Sequence, residues 1–311
     1  MPDSLSPQPP MLSALFAGRY MRPVVAAILL LLLAGCAKPR WPAITDAPSG
    51  EQDPGRWVWA ELITADIEGS KQFYGAVFGW TFDSLGSGER RYTLARNDGV
   101  PVAGMLFREA DDATGQTARW LGLMSVADAG GAAAFAAAAG GRVLVGPTEL
   151  PGRGQVALLA DPEGARFGVL RALGGDPPDL FPPNGAFLWR ELWARDGAAM
   201  ADFYTGLGEA RSRRVDSDQV PAPEWHLVVG GYPRAGILQE PIDGLPSAWL
   251  HYVRVGDLDN ALVRAVEQGG RVLVRPDAGI RDGLVAIITD PQGAALGLAE
   301  WREAAASGGD R

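Results

Sequence analysis

Two glutamates, each set among tryptophans on a predicted strand, are the residues of this sequence best placed to do chemistry. Glu61 lies in Trp57-Val-Trp-Ala-Glu-Leu, and Glu191 lies in Phe187-Leu-Trp-Arg-Glu-Leu-Trp. Side chains at positions i and i+2 of a strand share one face, so Trp57, Trp59 and Glu61 are expected to point the same way. A carboxylate shielded by indole rings has a raised pKa, which suits a general base or a ligand anchor. Glu61 and Glu191 are therefore the candidate catalytic residues.

The same pattern also fits a structural role for both glutamates. Buried charges are usually paired, so each carboxylate could be hydrogen-bonded across its sheet to a tyrosine, an arginine or a backbone amide. Recurrence in two places supports a role in the fold as well as a role in a site. The sequence is compatible with either role.

Aromatic side chains and one histidine are the further candidate ligand-binding residues. Those expected to face the same way as the glutamates are Trp57, Trp59, Phe187, Trp189, Trp193 and Tyr252. They could form a stacking surface for a flat or apolar molecule, or they could simply complete the core. His226 is a candidate lining residue, whereas His251 is expected to face a helix layer. With only two histidines, a Ser-His-Asp triad is disfavoured.

Charge and composition exclude some classes of function. The chain has 311 residues, of which 47% are hydrophobic, which is enough for two domains with substantial cores. Its formal net charge of −9 argues against nucleic-acid binding, which depends on basic patches. The expected partner is a small-molecule ligand.

The N-terminus has the features of an export signal. Arg19 and Arg22 precede an apolar run over residues 23–33, too short for the roughly 20 residues that span a bilayer comfortably. The run ends in Leu33-Ala-Gly-Cys36, which resembles the lipobox of bacterial lipoproteins. That resemblance implies a signal peptide over 1–36, lipidation of Cys36 and a location at the bacterial cell envelope, with only the lipid in the membrane. A short anchor helix that stays attached is the alternative. Cys36 is the only cysteine, so no disulfide framework is expected.

The elements that position these residues are duplicated. Three motifs recur at an offset of about 129 residues: 120–128 as 249–257, 140–145 as 269–274, and 161–164 as 290–293. Within each copy, a strand followed by Asp and a helix occurs twice, which predicts four β-α-β-β-β modules. Asp66 and Asp196 stand where helix N-caps belong. The predicted organisation is a flexible tether at 37–56, domain one at 57–171, a linker at 172–186, domain two at 187–302 and a disordered tail at 303–311.

These motifs together resemble the vicinal oxygen chelate superfamily, which includes glyoxalase I, bleomycin-resistance proteins and extradiol dioxygenases. The resemblance rests on three motifs that follow one another in the chain. The first is a strand, an aspartate and a helix that ends in Phe73-Tyr74 and Gly79-Trp80; the second is Gly-Gly-x-Val, and the third is Asp-Pro-x-Gly. The series is repeated in the same order. It implies an α+β fold in which two modules form each domain and curl into a cup, with the helices on the outer face.

The resemblance also implies where metal ligands would be, and this chain lacks them. The corresponding positions are Trp59, Leu121, Trp189, Leu250, Gly168 and Gly297, with two more near Gly104 and Gly236. None offers an oxygen, imidazole or thiolate side-chain ligand. We therefore expect no metal and no cofactor, and a binding protein for a small apolar or aromatic molecule. The alternatives are a lyase, isomerase or dioxygenase with nonstandard ligation through Glu61 or Glu191, and an interaction module with closed cups.

Overall fold

The structure is a computed structural model that describes residues 40–86, 92–109, 118–216, 219–220 and 222–301. The predicted signal peptide with Cys36, the first three residues of the predicted tether and the predicted tail at 303–311 lie outside these ranges. Among the described residues, no helix is both long enough and apolar enough to cross a bilayer.

Four β-α-β-β-β modules follow one another along the described chain. The first contains β1 (Trp57–Thr64), α1 (Ile67–Phe78), β2 (Thr81–Leu85), β3 (Tyr92–Asn97) and β4 (Val100–Phe107). The second contains β5 (Ala118–Ser125), α2 (Ala129–Ala138), β6 (Arg142–Leu150), β7 (Gly154–Ala160) and β8 (Arg166–Ala172). The third contains β9 (Phe187–Ala194), α3 (Gly197–Leu207), β10 (Arg211–Val215), β11 (Glu224–Val229) and β12 (Tyr232–Gln239). The fourth contains β13 (Ala248–Val255), α4 (Leu258–Glu267), β14 (Arg271–Val274), a 3₁₀ turn (Arg281–Gly283), β15 (Val285–Thr289) and β16 (Ala295–Glu300).

Two modules make one mixed eight-stranded sheet in each domain. The strand order is β2-β3-β4-β1-β5-β8-β7-β6 in domain one and β10-β11-β12-β9-β13-β16-β15-β14 in domain two. The first strands of paired modules meet at the centre and run antiparallel, β1 on β5 and β9 on β13. The predicted α+β fold with two repeated domains is confirmed.

Each helix begins at an aspartate, as the spacing predicts. Asp66 accepts a hydrogen bond from the backbone N of Gly69 at 2.9 Å, and Asp196 accepts one from Ala199 at 3.0 Å. Asp128 and Asp257 cap the other two helices in the same way. Such a cap satisfies an otherwise unpaired N–H and stabilises a helix by about 1 kcal/mol.

The helices of the two domains pack together between the two sheets. Helix α1 lies against α4, and α2 lies against α3, so two of the core clusters contain side chains from both domains. The hydroxyl of Tyr74 in domain one donates to Asp290 Oδ2 in domain two at 3.0 Å. The hydroxyl of Tyr204 in domain two donates in return to Asp161 Oδ2 at 3.0 Å. The concave faces of both sheets therefore point away from this shared helix layer.

Residues 40–56 differ from the flexible tether that their Pro- and Gly-rich composition predicted. Trp41 donates its backbone N–H to Pro151 O at 2.7 Å, and Ile44 is only 3% exposed within a core cluster of domain one. Gly50 donates its backbone N–H to Gly174 O at 2.9 Å. The reason is that the two apolar side chains bury surface that a free tether would leave in water.

A β-bulge breaks the expected alternation at the start of both central strands. The register of β1 against β5 shifts between Trp57 and Trp59, and that of β9 against β13 shifts beside Phe187. An extra residue at a bulge turns the side chains before it to the other face. Trp57 therefore packs on Trp249, with ring centroids 4.5 Å apart, on the helix-layer side. Trp57 is therefore not inside the cup of domain one, and Phe187, beside the corresponding bulge, also packs against the helix-layer core.

Candidate functional site

The cup of domain one is closed by an ion pair and by the N-terminal segment. Glu61 Oε1 accepts hydrogen bonds from Trp59 Nε1 and Tyr92 Oη, both at 2.9 Å, and pairs with Arg153 Nη1 at 2.5 Å. Arg153 also donates to Tyr92 Oη at 2.8 Å, and its guanidinium lies 5.3 Å from the ring of Trp41. Burial raises the pKa of Glu61, opposed by the charge of Arg153 and by the hydrogen bonds. The arrangement has the contacts expected of a structural glutamate.

Apolar side chains fill nearly all of the remaining space in that cup. They are Trp41, Ile44, Leu94, Leu123 and Leu170. A cavity of about 110 Å³ is left beside Glu61 and Arg153. Only a few water molecules would fit in such a volume, so the predicted residues Trp59 and Glu61 do not line an open site.

The cup of domain two, by contrast, opens into a cavity of about 900 Å³. Its apolar lining includes Leu180, Phe181, Trp189, Tyr252 and Trp301. The linker between the domains forms one side, because residues 177–182 run along it. Cavities of this size hold drug-sized ligands.

A polar cluster lies at the inner end of this cup. Glu191 Oε1 accepts from Trp193 Nε1 at 2.9 Å and from Tyr252 Oη at 3.1 Å. Arg281 Nη2 donates to Glu191 Oε2 at 3.1 Å and to Glu224 Oε1 at 2.7 Å. Burial raises the pKa of Glu191, and the charge of Arg281 opposes that rise. This cluster thus contains two buried carboxylates and one guanidinium.

His226 belongs to the same cluster. Its Nε2 lies 3.0 Å from Glu224 Oε1, and its ring meets the indole of Trp189 edge-on with centroids 5.4 Å apart. Burial alone would raise the pKa of Glu224, but the hydrogen bonds from His226 and Arg281 outweigh it and hold that pKa below its usual value. Glu224 is therefore an ionised group of this cluster, held by two residues that line the cavity, His226 and Arg281.

The structure brings most of the candidate residues of domain two together and separates others. Trp189, Glu191, Tyr252 and His226 border the open cavity, and Trp193 hydrogen-bonds Glu191 in the cup wall. His251 faces the helix layer and is 1% exposed, and both of its ring nitrogens are without a hydrogen-bond partner.

Sequence reasoning missed the two arginines and Glu224. Arg153 lies 92 positions from Glu61 and Arg281 lies 90 positions from Glu191, so no local pattern links them. The one available signal is physical, since a buried carboxylate requires a nearby cation or donors. Arg281 is also held in left-handed backbone, with φ at 49°, a conformation that non-glycine residues rarely adopt.

The strand registers show that the two cups are built alike but differ in the residue that begins the second strand along from each glutamate. Glu61 pairs with Gly104 and Leu121, and Glu191 pairs with the corresponding Gly236 and Leu250. At the start of that strand, domain one has Tyr92 opposite Leu106, whereas domain two has Glu224 opposite Leu238. The second cup therefore carries one carboxylate more than the first.

The residues present do not fit the metal site of related proteins. The positions that the resemblance assigns to ligands hold tryptophan, leucine and glycine around both cups, and none supplies a ligand atom. Across the described ranges, no group of three or more His, Cys, Asp or Glu side chains could hold a metal ion. In both cups an arginine guanidinium lies against the glutamate instead.

Comparisons with known proteins agree with this duplicated architecture. The sequence matches the Glyoxalase/Bleomycin resistance protein/Dioxygenase superfamily twice, over residues 56–169 and 187–298. It is 31% identical to anthracycline biosynthesis protein DnrV of Streptomyces peucetius, over 82% of this chain and 98% of that protein. Anthracycline biosynthesis protein DauV of Streptomyces sp. (strain C5) is 32% identical over 81% of this chain and 95% of its own length.

A solved structure shares the fold at low identity. It is 2,2′,3-trihydroxybiphenyl 1,2-dioxygenase of Sphingomonas wittichii, with a TM-score of 0.53 and 17% identity over 79% of this chain and 90% of that one. Since both repeats match the family and relatives align over most of its length, the chain belongs to the glyoxalase/bleomycin resistance protein/dioxygenase superfamily.

Proposed function

We propose that this protein binds a flat, apolar or aromatic small molecule in the open cup of domain two, without a metal ion. The observation that carries this proposal is the cavity of about 900 Å³ with aromatic walls and a polar cluster at one end. Apolar walls with a few placed polar groups are typical of small-molecule sites. Trp189 and Tyr252 offer ring faces and edges, on which planar ligands stack well.

The relatives point to the same ligand class. Two proteins more than 30% identical to this chain are named for anthracycline biosynthesis, and anthracyclines are fused-ring aromatic compounds. Binding without a metal is supported by the absence of ligand-bearing side chains at the family's metal positions. Ligation through Glu61 or Glu191 is disfavoured, because Arg153 and Arg281 already compensate these carboxylates.

The test is calorimetric titration with N-phenyl-1-naphthylamine, a neutral aromatic probe. We expect one binding site per chain and a loss of affinity of about tenfold or more in Trp189→Ala, because a stacking ring in a desolvated pocket contributes roughly 1–3 kcal/mol. Phe107→Ala removes an exposed ring of domain one and serves as the control, with no change expected. Equal affinities for wild type and Trp189→Ala would place the probe elsewhere and contradict the proposal.

We also propose that the binding domain is displayed at the bacterial cell envelope through a lipid on Cys36. The lipobox-like Leu33-Ala-Gly-Cys36 after a short apolar run supports this. Metabolic labelling with palmitate in the native host should mark the wild type and not Cys36→Ser. Labelling of the serine variant would refute the assignment.

A further inference from the structure

Four arginines line the cavity of domain two, and one differs from the others. Arg56 pairs with Asp53 and Asp179, Arg234 pairs with Asp179, and Arg281 pairs with Glu191 and Glu224. For Arg190 the structure shows no acidic partner among the residues it describes. A buried guanidinium without an anion is uncommon, because desolvation of the charge is left uncompensated.

The surroundings of Arg190 hold it in place without neutralising it. Its guanidinium carbon lies 4.5 Å from the ring centroid of Phe187, and Nη1 donates to the adjacent carbonyl of Trp189 at a long 3.2 Å. Nε is buried and has no hydrogen-bond partner. The residue is 6% exposed, and burial lowers its pKa to about 9.

Other groups beside Arg190 do not supply the missing negative charge. On the neighbouring strand, His251 pairs with it in register, and burial together with the charge of Arg190 lowers the pKa of that histidine. Phe187 and Trp57 provide aromatic surface at this end of the cavity. The two carboxylates of the cup, Glu191 and Glu224, are both bound to Arg281. Arg190 therefore shares a face of its strand with His251 rather than with Glu191, and it borders the cavity at the end lined by Trp57 and Phe187, with no acidic partner among the described residues.

We propose that Arg190 is an anion anchor and that the ligand is an aromatic molecule carrying a negatively charged group, such as a carboxylate, a sulfonate or an ionised phenol. This rests on the cup being a binding site, as proposed above. The anionic group reaches the guanidinium at the end of the cavity lined by Trp57 and Phe187, while the rings extend from there toward Trp189 and Tyr252. Charge-assisted hydrogen bonds to guanidinium are among the stronger polar contacts in proteins.

A matched pair of probes tests the charge requirement. 8-Anilinonaphthalene-1-sulfonate and N-phenyl-1-naphthylamine share the same ring system, and only the first carries a sulfonate. We expect Arg190→Met to weaken the sulfonate probe about tenfold or more, as loss of a charged hydrogen bond does. The neutral probe should bind wild type and variant equally. Arg190→Lys keeps the charge and should retain most of the sulfonate affinity.

Arg96→Met is the control, because it removes one arginine from an ion-pair network of domain one outside this cavity. Neither probe should respond to it. If Arg190→Met leaves the sulfonate affinity intact, or weakens both probes equally, the anchor assignment is wrong while the binding site stands. If neither probe binds the wild type, both proposals fall. Should the methionine variant not fold, Arg190→Gln supplies the same comparison.

Discussion

At the scale of single residues, the two cups differ by the group that completes the glutamate–arginine pair. In domain one this group is Tyr92, which shares its hydroxyl between Glu61 and Arg153 and leaves the cluster neutral. In domain two it is Glu224, whose Oε2 is buried and without a hydrogen-bond partner. A polar network in which every group has a partner stabilises a core, whereas a network with an unpaired oxygen can accept a further hydrogen bond.

His251 gives a pH prediction at this scale. Its pKa is lowered well below the ordinary value of 6.5 by burial first and by the charge of Arg190 second. The unfolded chain takes up a proton near pH 6.5 while the buried ring does not. The contribution to stability is therefore complete above about pH 6.5 and is lost as pH falls, by up to about 1.4 kcal/mol per pH unit. His251→Phe should lose less stability than wild type between pH 7.5 and pH 5.

Urea unfolding at the two pH values measures this difference. The comparison is the change in free energy of unfolding for each protein, so that carboxylates common to both cancel. An identical pH dependence in the two proteins would mean that folding does not lower the pKa of His251, which would contradict the prediction.

At the scale of secondary structure elements, the regular features could be predicted and the irregular ones could not. The aspartate caps and the four modules follow from local spacing, because N-cap chemistry acts within three residues. The bulges do not, since register between strands depends on partners far along the chain. This is why Trp59 and Trp189 lie in the cups as expected, while Trp57 and Phe187 pack against the helix layer and border the cavity only at one end.

The tyrosines of α1 and α3 give a prediction at the same scale. Tyr204 Oη accepts from Trp249 Nε1 at 2.8 Å and donates to Asp161 of the other domain, all within the shared core. Tyr204→Phe leaves the indole N–H without its acceptor and should reduce the free energy of unfolding by about 1–3 kcal/mol. Tyr74→Phe removes the same contacts to Trp120 and Asp290 and should have a similar effect.

Thermal or urea unfolding of these variants measures the loss. Tyr232→Phe is the control, because that side chain is 66% exposed and its hydroxyl can remain in water. A loss no larger than that of the control would show that the hydroxyls at the domain interface contribute nothing net.

At the scale of the whole molecule, the duplicated sequence predicted two domains but not how they combine. The repeat identifies each module, yet nothing in it states that α1 packs on α4 and α2 on α3. Those contacts depend on the apolar outer faces of the helices, which would fit any partner of similar shape. The packing of residues 40–56 on domain one could not be predicted for a related reason, since Trp41 and Ile44 are too few to form a pattern.

Because two core clusters are shared, the domains should unfold as one unit. Tryptophan fluorescence and far-ultraviolet circular dichroism should give superimposable urea transitions. Leu262→Ala, in α4 of domain two, should move the entire transition to lower urea, since a buried leucine typically contributes 2–5 kcal/mol. Two separate transitions, with only one displaced by the substitution, would contradict a common core.

The closed cup of domain one has a consequence for how the duplicated chain evolves. After a duplication, either copy can normally accumulate substitutions in its cup. Here Trp41, Ile44 and Arg153 fill the first cup, so the first copy has a structural role. Substitutions that enlarge or reshape the second cup then leave the packing of domain one unchanged. With the binding proposed here, the ligand can change through substitutions in one copy while the other preserves the architecture, and one ligand per chain is expected.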